Sequence, residues 1–391
     1  MTLPEAMAII ALLAWVYLLL LHGRFWLCSE RLPLSPASDL PRWPAVTAVV
    51  PARNEEETIA ATVESLLHQD YPRPLSVVLV DDRSTDATRQ RAAALAGENV
   101  SRLTILAGEP LPAGWSGKLW ALQQGIAHAT QENPATEFFL LCDADIVHTP
   151  DTLRALVGKA ESDRRDLVSL MAKLNCETAW ERLLIPAFVF FFQMLYPFPR
   201  ANDPRSGTAA AAGGCVLISR AALEGIGGIG AIRGALIDDC TLAREVKRSG
   251  GRLWVGLAEG TRSLRAYGRL EPIWMMVTRS AFTQLRYSAL IVLGTVLGMA
   301  LVFLAPPLLL LGALIQDDAR TAALALLTCL LMSAAYLPTI RYYQQRAALA
   351  LSLPLASLLY LAMTIDSARR HWWGSGSRWK GRDYGPRRVS S

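Results

Sequence analysis

Asp143 and Asp145 stand two residues apart at the end of the apolar run 138–142, Phe-Phe-Leu-Leu-Cys. Such a run reads as a strand buried on both faces, and alternation along the strand sends both carboxylates to one side. Mg²⁺ or Mn²⁺ prefers these oxygens, keeps several waters, and is held by one or two carboxylates while a substrate diphosphate completes its shell. An isolated Asp-x-Asp is more often a pair of solvated loop acids. Its position at the carboxyl end of a buried strand, where open α/β sheets bind ligands, favours the metal.

Two more acidic pairs occupy comparable places. Asp81-Asp82 closes a strand over 75–80, where a carboxylate can hydrogen-bond a uracil N3–H or a ribose hydroxyl, or where Asp82 and Asp86 can simply serve the turn and the next helix. Asp238-Asp239 opens a helix over 240–249 that Gly250-Gly251 stops; one carboxylate there is ordinary capping, while a second beside a cleft suits a general base. Lys118 sits near the start of a helix over 119–129, where terminal amides and a cation favour phosphate, against the plainer reading of a solvated lysine. The turn Pro51-Ala52-Arg53-Asn54 and Glu55 after it carry the same two readings. Gly213-Gly214-Cys215 precedes a strand over 216–219, and its glycines let backbone approach a sugar or its acceptor closely, or form a plain bulge.

The elements that must position these groups are strands over 46–50, 75–80, 103–106 and 138–142, alternating with helices over 55–69, 85–97 and 119–129. The order βαβαβαβ predicts an α/β fold with a parallel sheet and crossover helices. Thr85 is the expected cap of the second helix and Gly97 its left-handed stop. Thr149 and Pro150 begin the helix after the acidic pair, and 167–171 is a further strand.

Of 391 residues, 52% are hydrophobic and 19% charged, with the apolar excess at the two ends, the profile of a membrane-attached enzyme. The net charge of +5 clusters beside the membrane stretches and in the tail, which favours anionic lipid over nucleic acid, and no nucleic-acid motif is present. The six Cys form no C-x-x-C pair, so reduced thiols in a cytosolic domain are expected. Residues 4–23 are long enough to cross a bilayer, and without a preceding basic residue or a following cleavage site they read as an anchor, residues 1–28. Arg24, Arg31 and Arg42 after it put the amino terminus outside and the enzyme on the cytoplasmic face of the inner membrane. A proline-rich linker, 29–45, leads to a globular domain, 46–265. An interfacial segment, 266–288, a membrane bundle, 289–366, and a basic tail, 367–391, follow. Spans are expected over 289–315, interrupted by Pro306-Pro307, over 321–340 and over 347–365. The last contains Pro354 and reads as spanning or re-entrant: three crossings put the tail outside, whereas its basic residues argue for inside. The stretch 183–198, with five Phe, suits the membrane interface or the mouth of a lipid-binding groove; a buried core helix is the plainer alternative.

In their order along the chain, Val50-Pro51-Ala52-Arg53-Asn54-Glu55-Glu56, Val80-Asp81-Asp82-Arg83-Ser84-Thr85-Asp86, Gly117-Lys118, Asp143-Ala144-Asp145, Gly213-Gly214-Cys215 and Asp238-Asp239 resemble the motifs of a membrane-bound family 2 glycosyltransferase. The resemblance implies a GT-A nucleotide-sugar fold, Rossmann-like, with one amino-terminal and about three carboxyl-terminal transmembrane helices. It implies donor contacts from Pro51, Arg53, Asn54, Glu55, Asp82, Lys118, Asp143 and Arg286, and a divalent cation, Mg²⁺ or Mn²⁺, on Asp143 and Asp145. Gly213, Gly214 and Cys215 would then lie on the acceptor side, with Asp239 as base and Asp238 beside it. The arrangement of spans and the stretch 279–287 look like the hopanoid-associated subgroup.

One departure matters. Polymerising members carry Gln-x-x-Arg-Trp before their channel helices, whereas Gln284-Leu285-Arg286-Tyr287 is one spacer short and has Tyr for Trp, which argues against processive synthesis. Arg279 and Arg286 either contact the diphosphate from a helix over 272–288 or anchor that helix to headgroups. The expected activity is inverting, metal-dependent transfer from a nucleotide-diphosphate sugar, UDP-sugar first, to a hydroxyl of a membrane lipid, of hopanoid type if the subgroup resemblance extends to the acceptor. A processive polysaccharide synthase is the alternative, and a membrane scaffold or transport protein with a nucleotide-sensing domain is the alternative from another class.

Overall fold

Runs rich in Val, Leu and Phe assemble into one eight-stranded sheet in a computed structural model that describes residues 1–33, 40–99, 101–373, 377–379 and 382–384. In chain order the strands are β1 Ala45–Ala52, β2 Ser76–Asp81, β3 Leu103–Ala107, β4 Thr136–Cys142, β5 Ile146–His148, β6 Leu167–Lys173, β7 Cys215–Ser219 and β8 Leu253–Ser263. Across the sheet they lie β3-β2-β1-β4-β7-β6-β8-β5. The first four are mutually parallel, as the alternating pattern predicts. The rest is mixed: β7 runs antiparallel to β4 and β6, and β5 antiparallel to β8.

Apolar side chains alternate between the two faces of the parallel half. Val46, Ala48, Val50, Leu79 and Leu140 pack into one core, and Val49, Val78, Val80, Phe139 and Leu141 into the other. The strand ends are therefore fixed from both sides, and the loops after β1, β2 and β4 rise from one edge.

Several helix boundaries differ from expectation. The first crossover helix is Ile59–Leu67. The second begins at Thr88, without a capping side chain at Ala87, because Asp86 already accepts the Thr88 N–H and the Glu56 N–H and so holds the preceding turn open. Thr85 instead donates its N–H to Asn54 Oδ1 at 2.9 Å. Gly97 lies in the short helix Ala96–Asn99 and is not among the residues with positive φ. The helix after β5 starts at Thr152, behind Asp151, three residues later than Thr149.

The chain divides into two compact units: Ser29–Asn175 with Phe198–Ala266, which contains the sheet, and Met1–Cys28, Cys176–Pro197 and Tyr267–Ser391, which is helical. The expected domain 46–265 is thus interrupted. Part of the expected linker is built into the sheet unit, where Glu30 accepts the Leu257 N–H at 2.8 Å and its carboxylate accepts from Asn202 and Trp254. Residues 34–39 of that linker, and 374–376, 380–381 and 385–391 of the basic tail, lie outside the described residues.

In the helical unit, Leu3–Leu20, Ala289–Ile315, Ala319–Tyr342 and Ala347–Trp372 are long and apolar enough to cross a membrane. Pro306-Pro307 does not interrupt the second. The helix passes through a π turn, Ala300–Leu304, and the Val302 carbonyl, which Pro306 has no N–H to satisfy, accepts the Trp15 indole N–H at 2.8 Å. Pro354 falls in the first turn of the helix Leu353–Trp372, where a missing N–H costs little, so it does not break that helix. The aromatic stretch forms the helix Ala179–Leu195. Phe190 is fully buried and Phe191 nearly so, their rings edge-on to Phe25, Tyr336, Phe303 and Tyr360 at 5.2–5.5 Å. The core reading holds for these two residues, and the expectation of an interface or groove mouth does not.

Candidate active site

Lys118 organises the cleft at the edge of the sheet. It stands in the first turn of the helix Gly117–Glu132, whose cap Ser116 accepts the Leu119 N–H. Its ammonium lies 2.8 Å from Asp143 Oδ1, 3.1 Å from Asp238 Oδ2 and 3.5 Å from the Gly213 carbonyl. Burial works against its charge, but Asp143 and Asp238 outweigh burial and lift it well above the usual lysine range. Lys118 is therefore engaged by carboxylates, unlike a solvated lysine.

Across Gly213 lies the Asp238-Asp239 pair, at the start of the helix Asp238–Arg248. Asp239 accepts the Gly213 N–H at 2.8 Å through Oδ2 and the Cys240 N–H at 2.7 Å through Oδ1. Burial pushes its carboxyl up and Asp238 adds to the rise, while Lys118 and the two N–H groups pull it back, leaving it at about 6. Burial raises Asp143 as well, with Lys118 opposing and Asp145 reinforcing. Pro51, Leu119, Asp143, Gly213, Asp238 and Asp239 line the cleft.

Gly213 is required by this approach. A Cβ there would sit 3.1 Å from Lys118 Nζ and 3.2 Å from Asp239 Oδ2, tighter than ordinary van der Waals contact. At Gly214 a Cβ would meet the Ile146 side chain at 3.1 Å, so this glycine serves packing against β5. Cys215 departs from its expected acceptor-side place. It is fully buried opposite Cys142 on β4, and burial pushes its thiol up to about 12, which suits core packing and no surface contact.

The loops after β1 and β2 are stitched together. Arg53 donates to the Asp82 carbonyl at 2.6 Å, the Asn54 N–H donates to Ser84 Oγ at 3.0 Å, and the Glu55 N–H donates to Thr88 Oγ1 at 2.7 Å. Asn54 and Arg83 adopt left-handed backbone, φ 51° and 56°, which these cross-bonds hold. Asp82, almost fully buried, follows the end of β2 and donates its N–H to the Ala52 carbonyl at 2.8 Å.

Asp145 is bound by residues that the sequence did not single out. Ser263 Oγ and Arg265 Nε both donate to its Oδ2, at 3.0 and 3.1 Å, and Arg265 also reaches Glu55. Two carboxylates on one loop, countered by Lys118 and Arg265, have the oxygen chemistry that Mg²⁺ or Mn²⁺ requires. Among the described residues no three possible ligand side chains cluster, so water and substrate oxygens must complete any shell. Arg286 belongs to the helical unit, where it and Tyr287 form a left-handed turn, φ 53° and 56°, after the helix Leu270–Gln284.

Residues 47–227, which include most of β1, all of β2 to β7 and Gly213, match the family described as Glycosyl transferase family 2. Those residues therefore resemble a family 2 glycosyltransferase domain. The chain is 32% identical over 116 residues to the 4,4'-diaponeurosporenoate glycosyltransferase of Staphylococcus aureus strain USA300, a match covering 29% of this chain and 28% of that protein. The chain therefore spans less than a third of the length of the curated relatives it matches. A mannosyltransferase from Pyrobaculum calidifontis, solved with GDP-Man and Mn²⁺, superposes with a TM-score of 0.55 at 22% identity, covering 95% of this chain and 99% of that one. The sheet-bearing part thus has the GT-A, Rossmann-like fold, and among the described residues four helices are long and apolar enough to cross a membrane.

Proposed function

We propose that the chain is an inverting glycosyltransferase that moves a sugar from a nucleotide-diphosphate sugar to the hydroxyl of a membrane lipid. The convergence of Asp143, Lys118, Asp238 and Asp239 on one cleft carries this reading, because it puts donor-side and acceptor-side charge within one hydrogen-bonded cluster. Asp239 takes the proton from the acceptor hydroxyl. The freed oxygen attacks the anomeric carbon from the side opposite the diphosphate, and the configuration inverts. A carboxyl at about 6 is ionised at neutral pH and remains basic enough for the task. Lys118, kept charged by its neighbours, stabilises the departing diphosphate. A divalent cation held by Asp143 and Asp145 would add Lewis-acid neutralisation of the same charge.

Asp82 at the end of β2 supports a UDP-sugar as donor. The lipid acceptor rests on the four candidate spans in the same chain, now without the aromatic stretch as support. Gln284-Leu285-Arg286-Tyr287 favours single transfer over polymerisation, and the resemblance of the spans and of 279–287 makes a hopanoid-type lipid a candidate acceptor. The catalytic domain would face the cytoplasm from the inner membrane. The test is purified full chain in detergent with labelled UDP- and GDP-sugars and a lipid panel that includes 4,4'-diaponeurosporenoate, with and without EDTA. Sugar transfer that EDTA abolishes and Mn²⁺ or Mg²⁺ restores is expected; no transfer from any donor refutes the reading.

A further inference from the structure

Arg265 follows β8 and joins two donor-side loops. Its Nε donates to Asp145 Oδ2 at 3.1 Å, and its terminal nitrogen donates to both Glu55 oxygens at 3.0 and 3.2 Å. Ser263 sets this geometry: its hydroxyl donates to the same Asp145 oxygen and accepts the Arg265 backbone N–H at 3.2 Å. The pairing of β5 with β8, Ile146 opposite Ser263, and the Leu264 N–H on the Asp145 carbonyl at 2.8 Å hold the two segments in register. A planar guanidinium spans the two carboxylates from separate nitrogens held in one fork, a geometry that the single nitrogen of an ammonium does not reproduce. The Arg265 side chain is 37% exposed while those of Asp145 and Glu55 are 14% and 12% exposed, so the arginine is the outer member of the cluster.

We propose that Arg265 is a latch on the cation site. Its Nε occupies Asp145 Oδ2 and must give up that oxygen before a divalent cation can take it. A guanidinium and a cation of like charge compete for one carboxylate oxygen, so the cation alone binds weakly. Arriving with a nucleoside diphosphate, whose oxygens complete its shell, it displaces the arginine. Arg265 is thus a positioning residue that couples cation binding to donor binding. The inference rests on the reading of Asp143 and Asp145 as cation ligands.

Mn²⁺ binding to the full chain in detergent, followed by the paramagnetic resonance of free Mn²⁺ with and without UDP or GDP, tests it. Wild type should bind Mn²⁺ weakly alone and more tightly with a nucleotide. Arg265→Gln should bind Mn²⁺ alone about tenfold more tightly, with the nucleotide effect reduced accordingly. Arg265→Lys keeps the charge and loses the bridge, so it should fall between the two. If Arg265→Lys matches wild type while Arg265→Gln gains, only charge matters and the latch is wrong; unchanged or weaker binding by both variants also overturns it. Absence of Mn²⁺ binding by wild type and by both variants, with either nucleotide, would instead remove the cation reading beneath it.

Discussion

Replacing Asp239 with Asn should make the protein more stable at neutral pH and nearly inactive. A carboxyl raised from 3.8 to about 6 on folding stabilises the fold fully below the lower value and loses that contribution as pH rises through the higher one. At pH 7.5 ionised Asp239 therefore costs the folded state about 3 kcal/mol. Asn removes this cost. Its single oxygen can accept only one of the N–H groups of Gly213 and Cys240, and the lost bond costs about 1 kcal/mol. The net gain is about 2 kcal/mol, or roughly 4–8 °C in Tm for a unit of this size. Acidification toward pH 4 protonates the wild-type carboxyl and should erase the difference. Over the same series transfer should fall at least about a hundredfold in Asp239→Asn, the usual share of a general base, and the wild-type kcat/KM should decline below about pH 6 with a one-proton slope. Thermal melts of both proteins at pH 7.5, 6 and 4.5, with transfer assays at the same points, check all of this. A variant destabilised at pH 7.5, or one retaining a tenth of wild-type activity, refutes the reasoning about burial and role together.

Asp145→Ala should abolish transfer beyond rescue by added Mn²⁺ or Mg²⁺, whereas wild type treated with EDTA should recover on cation addition; rescue of the variant would separate Asp145 from the cation. Gly213→Ala should cut transfer more than about tenfold by pushing Lys118 and Asp239 apart, with near-native Tm, since the added Cβ meets only those two side chains within 3.5 Å. Phe190→Ala should lower stability by about 3 kcal/mol through an unfilled cavity and leave the apparent KM for the lipid unchanged. A raised lipid KM at native stability would return the aromatic stretch to the acceptor site.

The parallel half of the sheet and its acidic ends were legible in the sequence, because an apolar run that stops at carboxylates marks a buried strand reaching a ligand edge. Asp143 was singled out for that reason, and Lys118 and Asp239 for their places at helix starts. Arg265 was not, because its partners Asp145 and Glu55 are 120 and 210 residues away, and β8 and the three-residue β5 that bring them together show no local pattern. The aromatic stretch misled because Phe-rich composition is the same at a membrane interface and in a helical core; only tertiary contact distinguishes them. Thr85 and Thr149 both resembled caps, and in each case the helix starts three residues later. At the first, the Asp86 carboxylate takes the Thr88 N–H and the Glu56 carboxylate the Ala87 N–H, the groups that Thr85 would have had to cap. Cys215 stood in a motif, yet strand pairing with Cys142 turned it into the core.

Lipid glycosylation by Asp239 is the central claim. Membranes carrying the full chain, incubated with labelled UDP-sugars and extracted with organic solvent, test it most directly. Label in a single lipid-soluble product, present with wild type and absent with Asp239→Asn, is the predicted result; label confined to free sugar or to a water-soluble polymer would contradict it.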